Sequence, residues 1–189
     1  MSKHTIVALV EDRPGVLNRI ASKWRQRGFN IESLAVGHSE VEGLSRMTFT
    51  VDGTVTDVDQ VTKQMDKIVE VVKVTDLTAH DIVHREMALV KIAAGPEERG
   101  GIIQMVDIFR ANIVDVSPES LIVEATGPEE KVDALIEMLR PFGIRELVRT
   151  GRVAMTRGAG TPMTIDFGKE AHHRYRPAGE GKPKVGSIL

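Results

Sequence analysis

The 189-residue sequence contains no cysteine, and only 4% of its residues are aromatic. The absence of cysteine excludes disulfides, thiolate nucleophiles and cysteine-ligated zinc, and it suits a reducing compartment. Because aromatic side chains are scarce, we expect an aliphatic core, with the single Trp24 on the apolar side of a predicted helix. The net charge of −2 gives no electrostatic reason to expect nucleic acid or an anionic membrane as a partner.

Long apolar runs and the common catalytic motifs are also missing. No stretch approaches the ~20 apolar residues of a membrane-spanning helix, and the N-terminal apolar run is too short for a signal peptide. We therefore expect a soluble, cytoplasmic protein. Phosphate-binding loops, dinucleotide-binding turns and nucleophile elbows are absent from the sequence. His80 and His84 fall short of the three or four ligands that zinc needs, so no metal site is predicted.

Apolar periodicity predicts secondary structure over the first 78 residues. The predicted order is a strand at 4–10, a helix from residue 16, strands at 29–39 and 44–53, a helix from residue 58 and a strand at 70–77. This order is that of the ferredoxin-like βαββαβ unit, in which two helices cover one face of an antiparallel sheet.

The same order recurs from residue 85 onward. The predicted elements are a strand at 85–94, a helix at 101–110, strands at 111–117 and 119–127, a helix at 129–143 and a strand at 144–155. Pro14 corresponds to Pro96, and Asn30 corresponds to Asn112. Repeats of this length indicate two tandem domains. We predict an α+β protein with domains at 1–78 and 85–156, joined by a linker at 79–84.

The last 33 residues, 157–189, differ in composition from the two repeats. They hold six of the 17 glycines and three of the eight prolines, and no apolar stripe runs through them. Little apolar surface is available there to offset the entropy of ordering. We predict a flexible C-terminal extension, with docking of 163–167 on a partner as the alternative.

A Pro-Gly turn opens the first predicted helix. The first turn of a helix offers unpaired N–H groups and the positive end of the dipole, which suit a carboxylate. Gly15 lacks a Cβ, so a ligand can approach its backbone closely. Pro14 is compatible with the start of a helix. The turn is therefore a candidate carboxylate site.

Polar and apolar side chains nearby extend this candidate site. Asn30 opens the next predicted strand, and its amide oxygen is suited to accept a hydrogen bond from an ammonium group. Asp12 is suited to the same role with charge assistance. Val16, Leu17 and Ile31 would line an apolar pocket. The residues together predict an α-amino acid site, and ordinary turn and capping chemistry is the alternative interpretation.

The stretch VEDRPGVLNRIASKWRQRGFNIESL resembles the ligand-binding half of ACT domains, which are small βαββαβ modules that sense amino acids. The resemblance continues through GLSRMTFTVDG, HREMALVKIAA, IFRANIVDVSPESLIVEATG and LVRTGRVAMTRG. The whole series, about residues 4–158, resembles the small regulatory subunit of acetolactate synthase (acetohydroxyacid synthase).

The resemblance implies an effector, usually valine, that binds between two ACT domains from different chains. By position, the effector-binding residues are Asp12, Pro14, Gly15, Val16, Leu17 and Asn18 of one chain and Asn30 and Ile31 of the other. The family often has asparagine at the position of Asp12, whose carboxylate attracts the ligand's ammonium and repels its carboxylate. In the second repeat Glu97 and Glu98 replace Gly15 and Val16, so we expect binding in the first repeat only.

The resemblance also implies a partner, the large catalytic subunit, which binds thiamine diphosphate, FAD and magnesium. That enzyme joins two pyruvates, or pyruvate and 2-oxobutyrate, in branched-chain amino acid synthesis. This chain would have no catalytic residues and no cofactor of its own. It would form at least a homodimer, raise the activity of the enzyme and make it sensitive to valine, leucine or isoleucine. The alternatives are a free-standing two-domain amino acid sensor and an independent enzyme.

Overall fold

The computed structural model describes residues 3–54, 57–159 and 163. The first repeat contains β1 (Lys3–Glu11), α1 (Val16–Gln26), β2 (Ser33–His38), β3 (Leu44–Asp52), α2 (Val58–Met65) and β4 (Val71–Asp76). The second contains β5 (Ile82–Ala93), α3 (Arg99–Ile108), β6 (Asn112–Ser117), β7 (Ser120–Gly127), α4 (Glu129–Leu139), a 3₁₀ turn (Arg140–Phe142) and β8 (Ile144–Arg149), and β9 (Val153–Thr156) follows. Each repeat therefore has the order βαββαβ.

The two repeats form sheets of the same topology. The first sheet has the strand order β2-β3-β1-β4, and the second has β6-β7-β5-β8 with β9 also pairing with β5. In the first sheet, β1 pairs antiparallel with both β3 and β4, and β3 pairs antiparallel with β2. This arrangement confirms the predicted α+β, ferredoxin-like fold.

The core of the first repeat lies between the sheet and its helices. Strand side chains alternate between faces, so Ile6 and Phe49 point toward the helices and are fully buried. Trp24 of α1 is buried and stacks on Phe49 with ring centroids 4.8 Å apart. The prediction that Trp24 is a core residue is confirmed, and this stacked pair is an aromatic exception in an otherwise aliphatic core.

The second repeat builds its own core in the same way. Its buried side chains come from the inner face of β5 and β7 and from the apolar stripes of α3 and α4: Ala88, Val90, Ile92, Ala94, Ile102, Val106, Leu121, Val123, Ala125, Val132, Leu135, Ile136 and Leu139. All of these side chains are aliphatic, as the composition predicts.

The loop after α1 is longer than the sequence predicts. Gly28 has a φ of 72°, and the N–H of Phe29 donates to the carbonyl of Trp24 at 3.1 Å, which closes the end of the helix. The chain then needs several residues to turn back, so β2 begins at Ser33 rather than at residue 29. The prediction that Asn30 opens a strand is therefore wrong, and Asn30 and Ile31 lie in the loop.

The last predicted strand is interrupted. Residues 144–155 form β8 and β9 instead of one strand, because Gly151 turns the chain with a φ of 79°. The described residues divide into one compact unit of 3–83 with those from Ala154 onward, and a second unit of 84–153. The boundaries from sequence stay a prediction, and most of the predicted extension lies outside the described residues.

Two contacts attach the residues from Ala154 onward to the rest of the first unit. Arg46 of β3 donates from Nη2 to the carbonyl of Ala154 at 2.9 Å. Met163 is buried in a cluster that includes Leu9 and Leu77. In the described part of the chain, no helix combines the length and apolar character needed to cross a membrane.

Asp57 caps α2 and provides a test of local stability. Its Oδ1 accepts a hydrogen bond from the N–H of Gln60 at 3.1 Å. We expect Asp57→Ala to lower the free energy of unfolding by about 1 kcal/mol, measured by urea denaturation, because one helix-end N–H loses its acceptor. Asp59→Ala, which removes a first-turn acid that pairs with Lys63 on the exposed surface but does not cap the helix, should cost less. Equal losses would show that the capping hydrogen bond adds nothing beyond the charge interactions of a first-turn acid.

Candidate functional site

The start of α1 has an open backbone surface. Gly15 is the N-cap residue, with a φ of 90° and a ψ of −11° in the left-handed region. This conformation favours glycine over any residue with a Cβ. A Cβ placed there would meet no atom within 4 Å, so the space beside the backbone is free for a ligand. Pro14 and Gly15 are both exposed.

The first N–H groups of α1 have no acceptor within the helix. Among the described residues, no side chain caps this helix, and its first turn contains no acidic residue. Two other helices differ: α2 is capped by Asp57, and α4 has Glu129 and Glu130 in its first turn. Within the described part of the chain, helix α3 also lacks a capping side chain and a first-turn acid, but its N-cap residue is the acidic Glu98. The positive end of α1 is therefore available to an anion.

The second repeat has an acidic residue at the equivalent position. Glu98 is the N-cap residue of α3, and its Oε2 accepts a hydrogen bond from the N–H of Gly95 at 3.0 Å. Arg99 donates from Nη2 to the carbonyl of Pro118 at 2.7 Å. The predicted position of Glu98 at the helix start is confirmed, and its negative charge there opposes the approach of an anionic ligand.

Asp12 links the helix-start loop to the turn between β2 and β3. Its N–H donates to the carbonyl of Gly43 at 2.9 Å, and its Oδ2 lies 3.2 Å from Nδ1 of His38. His38, which the sequence reasoning missed, is the last residue of β2. When its imidazole is protonated it offsets the negative charge of Asp12, which reduces the repulsion of a ligand's carboxylate.

The predicted pocket side chains differ in what they can offer a ligand. Val16 is 3% exposed and packs in the core, so only its backbone N–H can face a ligand. Leu17 is 44% exposed, and Asn18 is exposed beside it. Ile31 is half-buried and packs against the core of the first repeat. Of these apolar residues, Leu17 is the accessible one at the helix start.

Asn30 lies at the other end of α1 from Gly15. The helix has 11 residues, which corresponds to a length of about 16 Å. The carboxylate and ammonium of an α-amino acid are attached to one carbon atom. The structure therefore brings together Asp12, Pro14, Gly15 and Leu17, and it places Asn30 too far away to bind the same ligand within one chain.

A buried acid next to this loop was also missed by sequence reasoning. Glu70, in the turn before β4, accepts hydrogen bonds from Arg13 at 3.0 Å and from Arg19. The Nε of Arg13 also lies 2.8 Å from Oε2 of Glu11. No sequence pattern could indicate this cluster, because Glu70 is 51 residues from its nearer arginine. Over residues 3–54, 57–159 and 163, no three His, Asp or Glu side chains are grouped as metal ligands.

Comparison with known proteins assigns the first repeat to a known class of domain. Residues 6–73 match the ACT domain of the acetohydroxyacid synthase small-subunit type. Together with the βαββαβ topology and the open start of α1, this match defines an ACT-domain protein. Residues 85–158 match the family described as the small subunit of acetolactate synthase.

Whole-chain similarity gives the same family. The acetolactate synthase small subunit of Mycobacterium bovis is 50% identical over 155 residues, 82% of this chain and 92% of that protein. The small subunit of Bacillus subtilis is 48% identical over 158 residues, 82% of this chain and 91% of that protein. The crystal structure of the Thermotoga maritima small subunit superposes with a TM-score of 0.78 at 44% identity, covering 84% of this chain and 99% of that one. The chain belongs to the family of acetolactate synthase small subunits.

Proposed function

We propose that the chain is a non-catalytic, cytoplasmic regulatory subunit that binds the large subunit of acetolactate synthase. It raises the activity of that subunit and inhibits it when a branched-chain amino acid accumulates, with valine the first candidate and leucine and isoleucine the others. The open, uncapped start of α1 beside Gly15 is the observation that carries this proposal. Membership of the small-subunit family indicates that the regulated enzyme is acetolactate synthase.

A homodimer would complete the effector site. β2 is an outer strand of the first sheet, and unpaired strand edges favour pairing with another chain. In an antiparallel pair of two β2 strands about a two-fold axis, the beginning of one strand lies beside the end of the other. Asn30 and Ile31 of the partner subunit would then approach the Asp12–Gly15 end of this chain. This pairing supports a site shared between two chains.

The ligand's groups divide between the two chains. The carboxylate accepts hydrogen bonds from the N–H groups at the start of α1, which the helix dipole favours. The ammonium group donates to Asn30 of the partner subunit and to Asp12. The aliphatic side chain packs on Leu17 and on Ile31 of the partner subunit. A branched-chain amino acid fits this set of one anion site, one cation site and a small apolar surface.

Regulation follows from the position of the ligand at a subunit interface. An effector shifts an equilibrium only if its affinity differs between two arrangements of that interface. A coupling free energy of ~1–3 kcal/mol is sufficient for useful inhibition. The chemistry stays on the catalytic subunit, which carries thiamine diphosphate, FAD and magnesium, and this chain needs no cofactor of its own.

Titration of the purified chain with its catalytic subunit tests the proposal. We expect calorimetry to show one effector per chain, because the charge of Glu98 opposes an anionic ligand in the second repeat. Inhibition by valine, leucine and isoleucine should follow the same order as their affinities. A difference of one methylene group between two effectors corresponds to a difference in binding free energy of about 1–3 kcal/mol. Two effectors per chain would contradict the single-site proposal. Turnover of pyruvate by the chain alone, or no association with a thiamine-dependent subunit, would overturn the regulatory role.

A further inference from the structure

Glu70 is a buried carboxylate that the proposed binding chemistry does not use. Its side chain is 2% exposed, and a carboxylate so deeply buried is destabilising unless it is paired. Its Oε1 accepts from Nη2 of Arg13 at 3.0 Å and from Nη1 of Arg19. Its Oε2 has no partner among the described residues. The two arginines therefore supply the charge that stabilises this acid.

These arginines lie on both sides of the Pro-Gly turn. Arg13 is two residues before Gly15, and Arg19 is four residues after it, with its N–H donating to the carbonyl of Gly15 at 3.0 Å. The N–H of Glu11 also donates to the carbonyl of Glu70 at 2.9 Å. The end of β1, the turn and the first turns of α1 are thus attached to one residue in the turn before β4.

The exposure of the arginines makes this arrangement unusual for a surface loop. Their side chains are 52% and 66% exposed, and exposed arginines ordinarily keep their rotamer freedom. Here one buried oxygen holds both guanidinium groups, with Glu11 as a second partner of Arg13. Because Glu70 is itself covered by protein, it acts on the loop through Arg13 and Arg19 and does not touch a ligand.

We propose that Glu70 is a positioning residue of the effector site, which holds residues 12–18 in the conformation that presents the helix-start N–H groups to the ligand's carboxylate. This inference rests on the proposed amino acid site at α1. If residues 12–18 adopt this binding conformation only about a tenth of the time when Glu70 is absent, the apparent affinity for the effector falls about tenfold.

The second unit offers a matched control. Glu86 is 8% exposed and accepts from Nη2 of Arg149, whose Nη1 donates to Asp133 at 2.7 Å. The pKa of Arg149 is raised: burial lowers it, but the hydrogen bonds and charges of Glu86 and Asp133 outweigh that effect. Glu86→Gln therefore breaks a similar buried acid–arginine cluster in the repeat that we do not expect to bind effector.

The experiment measures the dissociation constant of valine, leucine and isoleucine and the thermal midpoint for the full chain bound to its catalytic subunit. We expect Glu70→Gln to weaken effector binding about tenfold or more, Glu70→Asp to recover part of it, and Glu86→Gln to leave it unchanged while lowering the midpoint. Arg19→Gln, which removes an exposed side chain, should weaken binding in the same direction if Glu70→Gln does not fold.

The possible results separate this inference from the proposed function. If the unsubstituted chain binds none of the three amino acids, the effector site fails and the role of Glu70 fails with it. If the unsubstituted chain binds and Glu70→Gln lowers only the thermal midpoint, Glu70 is a structural residue and the inference alone is overturned. Equal loss of affinity in Glu86→Gln would also overturn it.

Discussion

Gly15→Asp should eliminate amino acid binding at concentrations that saturate the unsubstituted chain. An aspartate at this N-cap position would place its carboxylate against the N–H groups that receive the ligand's carboxylate, and its charge would repel the ligand. We expect the affinity to fall at least a hundredfold, about 3 kcal/mol, as measured by calorimetry. Inhibition of the catalytic subunit by the effector should disappear with binding.

Gly158→Asp is the control for the backbone cost of this change. Gly158 also has a positive φ, of 71°, and a Cβ there would also meet no atom within 4 Å. The two variants therefore share the strain of an L-residue in the left-handed region. Only Gly15→Asp should lose the effector. Normal binding by Gly15→Asp would show that the ligand's carboxylate lies elsewhere.

Asn30→Ala should weaken effector binding by about 1–3 kcal/mol, because the ligand's ammonium group would lose a hydrogen-bond acceptor in a buried interface. In the isolated chain Asn30 is exposed and lies in a loop. The substitution should therefore leave the free energy of unfolding nearly unchanged. A variant with normal feedback sensitivity would show that Asn30 does not contact the effector.

Mixing the two variants tests whether the site is shared between chains. In a dimer of one Gly15→Asp chain and one Asn30→Ala chain, one site combines both defects and the other combines an intact Gly15 with an intact Asn30. We expect the mixed dimers to regain one effector site per dimer with nearly normal affinity. If mixing restores nothing, Asn30 does not complete a site on the opposite chain.

This chain has Asp12 where the family often has asparagine, and the pairing of Asp12 with His38 changes the expected effect of that difference. From sequence, a carboxylate at residue 12 was expected to attract the ammonium group and repel the carboxylate of the same ligand. The structure gives this carboxylate a partner, the imidazole of His38 at 3.2 Å. The net charge at the helix start therefore depends on a residue at the end of β2 as well as on the loop itself.

Much of the fold could be predicted from local patterns. The alternation of Met47, Phe49 and Val51 in β3 and the helical stripe of α1 that ends at Trp24 identify the faces that pack in the core between sheet and helices, since side-chain direction follows from the period of each element. The Pro-Gly turn and Glu98 likewise indicate which repeat has an open helix start. These features depend on neighbours within a few residues, and such neighbours can be read from one sequence.

Other features were decided only by the packing of the chain. Because the chain turns at Gly28, β2 begins later than predicted and Asn30 lies in a loop. The side chain of Val16 is buried in the core and does not face the site. The sequence by itself determined two βαββαβ repeats and a Pro-Gly helix start without an acidic residue in the first of them. Tertiary structure alone decided that Glu70 restrains Arg13 and Arg19, because ion pairs across 57 and 51 residues depend on which strand and helix ends meet in the folded protein.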